Sequence, residues 1–117
     1  MKRIYSLRIS GADSDSISQV LGTRSVGPGP GWQWELEENA DDPPIDFVST
    51  FLTLLEGKYE ALAEVGVARR RIAVWLLYEY DEQCNIEFSP DDMKRLGEAG
   101  IVLCVSCWQS DYHTSLD

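Results

Sequence analysis

The ten residues RIAVWLLYEY, Arg71 to Tyr80, decide how the rest of the chain is read. β-Branched and aromatic side chains are concentrated there, and both alternating sets are apolar. Val74, Leu76 and Tyr78 form one set; Ala73, Trp75 and Leu77, followed by Glu79, form the other. A strand that is apolar on both sides belongs in the middle of a sheet. We therefore place this segment centrally, with Val74, Leu76 and Tyr78 toward the helices.

Toward the C-terminus, SPDDMKRLGEAG (89–100) carries agreeing helix signals. Ser89 is placed to cap, Pro90 takes the first helical position, Asp91 and Asp92 fill the first turn, and Gly100 follows the end. IVLCVSCW (101–108) reads as the last strand, with Ile101, Leu103 and Val105 inward and Cys104, Ser106 and Trp108 outward. Residues 109–117 read as a polar tail.

Toward the N-terminus, residues 45–65 follow helical spacing through Val48, Phe51, Leu52, Leu55, Tyr59 and Leu62, with Gly57 marking a bend or break. WQWELEE (32–38) alternates Trp32, Trp34 and Leu36, expected in the core, against Gln33, Glu35 and Glu37. A Gly-Pro loop, TRSVGPGPG (23–31), precedes it. DSDSISQVLG (13–22) reads as a short helix capped by Asp13 or Ser14 and stopped by Gly22. IYSLRIS (4–10) alternates Tyr5, Leu7 and Ile9 against Ser6, Arg8 and Ser10.

The order is βαβαβαβ in a single domain, 1–117. It predicts an α+β two-layer sandwich: a sheet of about four strands with helices on one face, as a ferredoxin-like variant with an added helix. A doubly wound parallel sheet is the alternative, but four strands seldom come with helices enough to cover both faces.

Ten basic against twenty acidic residues give a formal charge of −10, a field that repels phosphate backbones and argues against nucleic acid. No apolar run has the roughly 20 residues of a membrane span, and the first residues lack a signal-peptide core. Three cysteines, an odd number, fit a reducing compartment, so a cytoplasmic location is expected.

The apparent chemical motifs are weak. Phosphate loops need successive backbone N–H groups and a following helix, whereas GPGPGW has two prolines and runs into a strand. CVSC has C-x-x-C spacing, but residues i and i+3 of a strand face opposite ways, and only Cys84 and His113 are left as further ligands. The acids of ENADDPP and PDDM lack the alternation of a calcium loop. Arg69-Arg70-Arg71, just before a strand, reads as a solubilising device at a sheet edge. No cofactor, metal or catalytic residue is expected.

The face turned away from the helices is more informative. It gathers Arg8, Glu35, Glu37, Trp75, Glu79 and Trp108, and aromatics among fixed charges have the composition of a recognition surface.

The ordered features YSLRISGADSDSISQVLGTRSVGPGPGWQWELE and YEYDEQCNIEFSPDDMKRLGEAGIVLCVS resemble the bacterial domain-of-unknown-function family DUF4279. The resemblance rests on Leu7 to Gly11, Leu21-Gly22, Gly31-Trp32, and Phe88-Ser89-Pro90 with Leu96 and Gly100. It departs at Thr23-Arg24, where many relatives carry Pro-Thr. These are caps, turns and core positions, so the resemblance implies a fold and no catalytic residue.

The expected function is non-catalytic protein binding through the open face, in its sharpest form an immunity-type inhibitor of a basic toxin. Two alternatives stay open. One is a small-ligand sensor or enzyme with a pocket near the Gly-Pro loop, gripping an anion with Arg24 or Arg8 and using Glu79 or Glu35 as acid or base. The other is a homodimer joined through the open face.

Overall fold

A computed structural model describes residues 2–26, 31–82 and 85–109. It is an α+β domain built on one four-stranded mixed sheet. In chain order the elements are β1 (Lys2–Ile9), α1 (Ser14–Leu21), β2 (Trp32–Asn39), α2 (Phe47–Leu55), α3 (Tyr59–Glu64), a 3-10 turn (Arg69–Arg71), β3 (Ile72–Tyr80), α4 (Pro90–Ala99) and β4 (Val102–Gln109). No described helix is long and apolar enough to cross a membrane.

The strands lie in the order β2-β1-β3-β4. β1 is antiparallel to both β2 and β3, and β4 runs parallel to β3. The segment 71–80 is therefore central, as its two apolar sides require. The sheet departs from the expected ferredoxin-like order. It keeps a central antiparallel β1–β3 pair but has its edge strands exchanged, with β2 beside β1 and β4 beside β3. The parallel β3–β4 pair follows from α4 crossing between its strands, since a parallel neighbour needs a long return path.

One face of the sheet supplies the core. Tyr5, Leu7, Ile9, Trp32, Ile72, Val74 and Leu76 pack with Ile17 and Leu21 of α1, Phe47, Val48, Phe51 and Leu55 of α2, Leu62 of α3 and Leu96 of α4. Trp32 is fully buried, and its indole N–H donates to the Thr23 carbonyl at 3.0 Å. Trp34 is half-buried and meets Phe51 edge-on, while Tyr5 stacks on Phe47 with ring centroids 4.6 Å apart. The tryptophans of β2 thus serve the core. Val105 does not: it lies on the core face opposite Leu76, but β4 is an edge strand and leaves it 46% exposed.

The long helical segment is broken in two. Gly57 sits between α2 and α3 with φ +75°, a left-handed conformation that side-chain-bearing residues resist. Gly31, at the entry to β2, has φ +84°, and a Cβ there would come within 3.0 Å of the Ile9 carbonyl oxygen. Only glycine lets the loop enter β2 this close to β1.

Caps fix the helix starts. Ser89 accepts from the Asp92 N–H at 3.0 Å, with Pro90 following it. The Asp13 carboxylate accepts from the Ser16 hydroxyl (2.8 Å) and N–H (3.0 Å). Asp46 accepts from the Ser49 N–H at 3.0 Å. Hydrogen bonds from Ser16 and Ser49, side chain first and backbone second, hold both carboxyls below their ordinary 3.8.

A depressed folded-state value means stability that is present above the unfolded pKa and lost as pH falls through the folded one. Relative to wild type, the Asp13→Asn/Asp46→Asn double variant should therefore lose less stability between about pH 5 and pH 2, since Asn keeps a capping oxygen without titrating. Urea midpoints measured across that range check this. Parallel acid limbs for the two proteins would contradict it.

Candidate functional site: the sheet face opposite the core

The strand register lays out the second face in rows. From β2 to β4 these are Gln33, Arg8, Ala73, Val102; then Glu35, Ser6, Trp75, Cys104; then Glu37, Ile4, Leu77, Ser106; and last Asn39, Lys2, Glu79, Trp108. None of these residues belongs to the hydrophobic core. All six candidate residues lie in this array, so the structure brings Arg8, Glu35, Glu37, Trp75, Glu79 and Trp108 together on one face.

The array has an apolar centre and an acidic margin. Ile4, Trp75 and Leu77 are half-buried in the middle, while Val102 (43%) and Trp108 (39%) stand exposed on the β4 edge. Glu35 and Glu37 line the opposite edge on β2 and are exposed. Lys2 bridges Glu37 at 3.1 Å, but both side chains are near half-exposed, so the pair adds only ~0–1 kcal/mol. Among the described residues, neither Glu35 nor Glu79 takes part in an ion pair.

Arg8 organises the centre. Its guanidinium lies over the Trp75 ring, 4.9 Å from the centroid, and its Nε–H donates to the Ser6 hydroxyl at 3.2 Å. Ser6 is fully buried beneath it, with its polar atom satisfied. Stacking and hydrogen bond together hold Arg8 across β1 and β3 and add about 0.5–2 kcal/mol between them.

Chemistry is thinly represented. Cys104 shares a row with Trp75, whereas Cys107 pairs in register with Tyr78 on the core face, so the two cannot converge on one ligand. No metal-binding cluster occurs among the described residues. Cys84, His113 and most of the polar tail lie outside the described residues. Arg24 and Arg8 do not share a pocket: Arg24 lines a shallow cleft beside α1 with Ser14, Ser18 and Ser25, whereas Arg8 lines one at the sheet end. Neither Glu35 nor Glu79 lines either cleft.

The arginine run needs a different reading from the one its position implied. Arg69 packs its guanidinium over Tyr59, 3.5 Å from the ring centroid, and donates to the Ala99 carbonyl at the end of α4. It ties α3 to α4. Arg70 and Arg71 turn to the cleft that Arg8 lines. Residue type alone could not reveal this, because it depends on β1 and β3 being neighbours.

Compared with protein-family models, curated proteins and solved structures, the chain matches none.

Proposed function

We propose that this chain is a non-catalytic binding module that docks a basic protein on the sheet face opposite its core. The observation that carries the reading is the placement of Trp75 and Trp108 on one face with Ile4, Leu77 and Val102, bordered by Glu35, Glu37 and Glu79. Large aromatics supply anchoring area, and the acidic margin selects a partner of opposite charge. The chain's charge of −10 adds long-range steering toward such a partner.

The shape of the face favours a protein over a small ligand. Four strands at ~4.8 Å spacing and eight residues at ~3.4 Å give an area of roughly 14 by 24 Å between the outermost backbone atoms, before the side chains are counted. Its middle, at Ile4, Leu77, Glu35 and Glu37, lines none of the clefts described for the domain, so it suits a protein contact better than an enclosed small molecule.

In its sharper form the module is an immunity-type inhibitor that covers the active site of a basic toxin in the cytoplasm. Size, acidity and the acid-edged aromatic face all fit that role. We also propose that the domain is a two-layer sandwich, its helices confined to the core face, and a relative of the DUF4279 family. What supports the family reading is that the resembling positions occupy structural turns: Gly22 and Gly100 at helix ends, Gly31 at the entry to β2, Ser89 and Pro90 at the start of α4.

Charge reversal tests the docking reading. With a basic protein retained by the chain at low salt, Glu35→Lys and Glu79→Lys should each weaken binding about tenfold, and added salt should weaken the wild-type complex. If both variants bind like wild type at every salt concentration, this face is not the docking surface. A wild-type mass that doubles with concentration and falls back in Trp108→Ala would instead assign the face to a homodimer.

A further inference from the structure

The cleft at the end of this face, beside the arginine run, has a chemistry unlike the rest of the molecule. It measures about 430 Å³ and is lined by Arg8, Arg70 and Arg71 together with Gln33, Ser10 and Ala73. Three of the ten cationic side chains of a chain with twenty acids therefore line one cleft. Among the described residues, Lys2, Arg3 and Lys94 have carboxylate partners within 4.0 Å, but none of these three arginines does. Like charges held together without neutralising acids are an arrangement suited to an anion.

We infer that this cleft binds a small ligand carrying a phosphate group. Arg8 is already oriented: its Nε is used on Ser6 and its plane rests on Trp75, so the remaining guanidinium donors need little further ordering. Ala73, the register partner of Arg8 on β3, contributes only a methyl group and leaves the floor low. The Ser10 N–H donates to the Arg71 carbonyl at 3.1 Å, tying the end of the 3-10 turn to the end of β1. Gln33, beside Arg8 in register on β2, adds an amide, and Ser10 adds a hydroxyl.

The count of charges selects the ligand class. A single carboxylate is satisfied by one guanidinium in a bidentate pair, whereas three guanidiniums match the charge and the several acceptor oxygens of a phosphate dianion. The acidity of the whole chain does not forbid this, because charges beyond about 8 Å are largely screened at physiological ionic strength. Glu35, the next residue on this face of β2 after Gln33 and roughly 7 Å along the strand, lies within that distance, but it is exposed and does not line the cleft. The cleft shares Arg8, Gln33, Ala73 and Trp75 with the docking face and adds Arg70 and Arg71, which lie outside it, so variants at these two arginines test the cleft without altering the docking residues.

Calorimetric titration at constant ionic strength tests the inference, with inorganic phosphate, pyrophosphate and malonate as probes. Phosphate and pyrophosphate should bind, pyrophosphate more tightly, and malonate should bind at least tenfold more weakly. Arg70→Ala/Arg71→Ala should weaken pyrophosphate binding tenfold or more, and Lys94→Ala, which removes a single charge on α4 away from the cleft, should leave it unchanged. Arg70 and Arg71 are exposed, so the double variant should fold, which its circular dichroism spectrum checks. Three outcomes would each overturn the assignment: no heat from either phosphate, malonate binding as tightly as pyrophosphate, or equal weakening in Lys94→Ala.

Discussion

Trp32→Ala is expected to destabilise the domain by about 3–5 kcal/mol, the cost of emptying a large aromatic site in a packed core. Trp32 has no exposed surface although it lies on an edge strand. It pairs in register with Ile9 and donates its indole N–H to the Thr23 carbonyl, so it fastens the Gly-Pro loop to the sheet as well as filling space. Alanine removes both the packing and the hydrogen bond. Set against the ~5–15 kcal/mol stability of a typical domain, that loss leaves a protein close to unfolding. Urea denaturation followed by circular dichroism measures it, and a loss below about 1 kcal/mol would show that the tryptophan is not built into the core as described.

Trp108→Ala should do the reverse. Trp108 stands on the β4 edge, 39% exposed, across from Glu79 and outside the core. Its removal should change stability by no more than about 0.5 kcal/mol. Partner affinity should nevertheless fall by roughly 2 kcal/mol, about thirtyfold, because a tryptophan at a protein contact commonly anchors it. Surface plasmon resonance with the retained partner, read beside the urea midpoint, separates the two effects. A large stability loss with unchanged affinity would make Trp108 a structural residue. Trp75 is less suited to this test, since Arg8 stacks on it and its loss would disturb both properties.

Local signals in the sequence proved durable. Asp13, Ser89, Pro90 and Gly100 stand where capping chemistry places them, because a cap needs only its own turn to work. Period-two alternation placed Trp75 and Trp108 on one face and Trp32 in the core, since the pleat fixes which way each side chain points. Strand order was not legible. Alternation shows which face a residue occupies but says nothing about which strand lies beside it, so the exchanged edges and the parallel β3–β4 pair come from tertiary packing. The same limit hid the arginine cleft. Arg8 and Arg71 are 63 positions apart in sequence, and they meet only because β1 and β3 are neighbours. Val105 was misplaced for a related reason: its face is right, but an edge strand at this position leaves it exposed.

The central claim is that the sheet face opposite the core is open to a partner. Hydroxyl-radical footprinting tests it most directly, with oxidation of Trp108 and Met93 read by mass spectrometry in the same sample. Met93 on α4 is 53% exposed and lies outside the face, so it serves as the internal reference. The expected result is that both residues oxidise readily in the free chain, and that adding the basic partner protects Trp108 while Met93 stays reactive. Protection of Trp108 in the free chain at every dilution, or protection that falls on Met93 instead, would contradict the account.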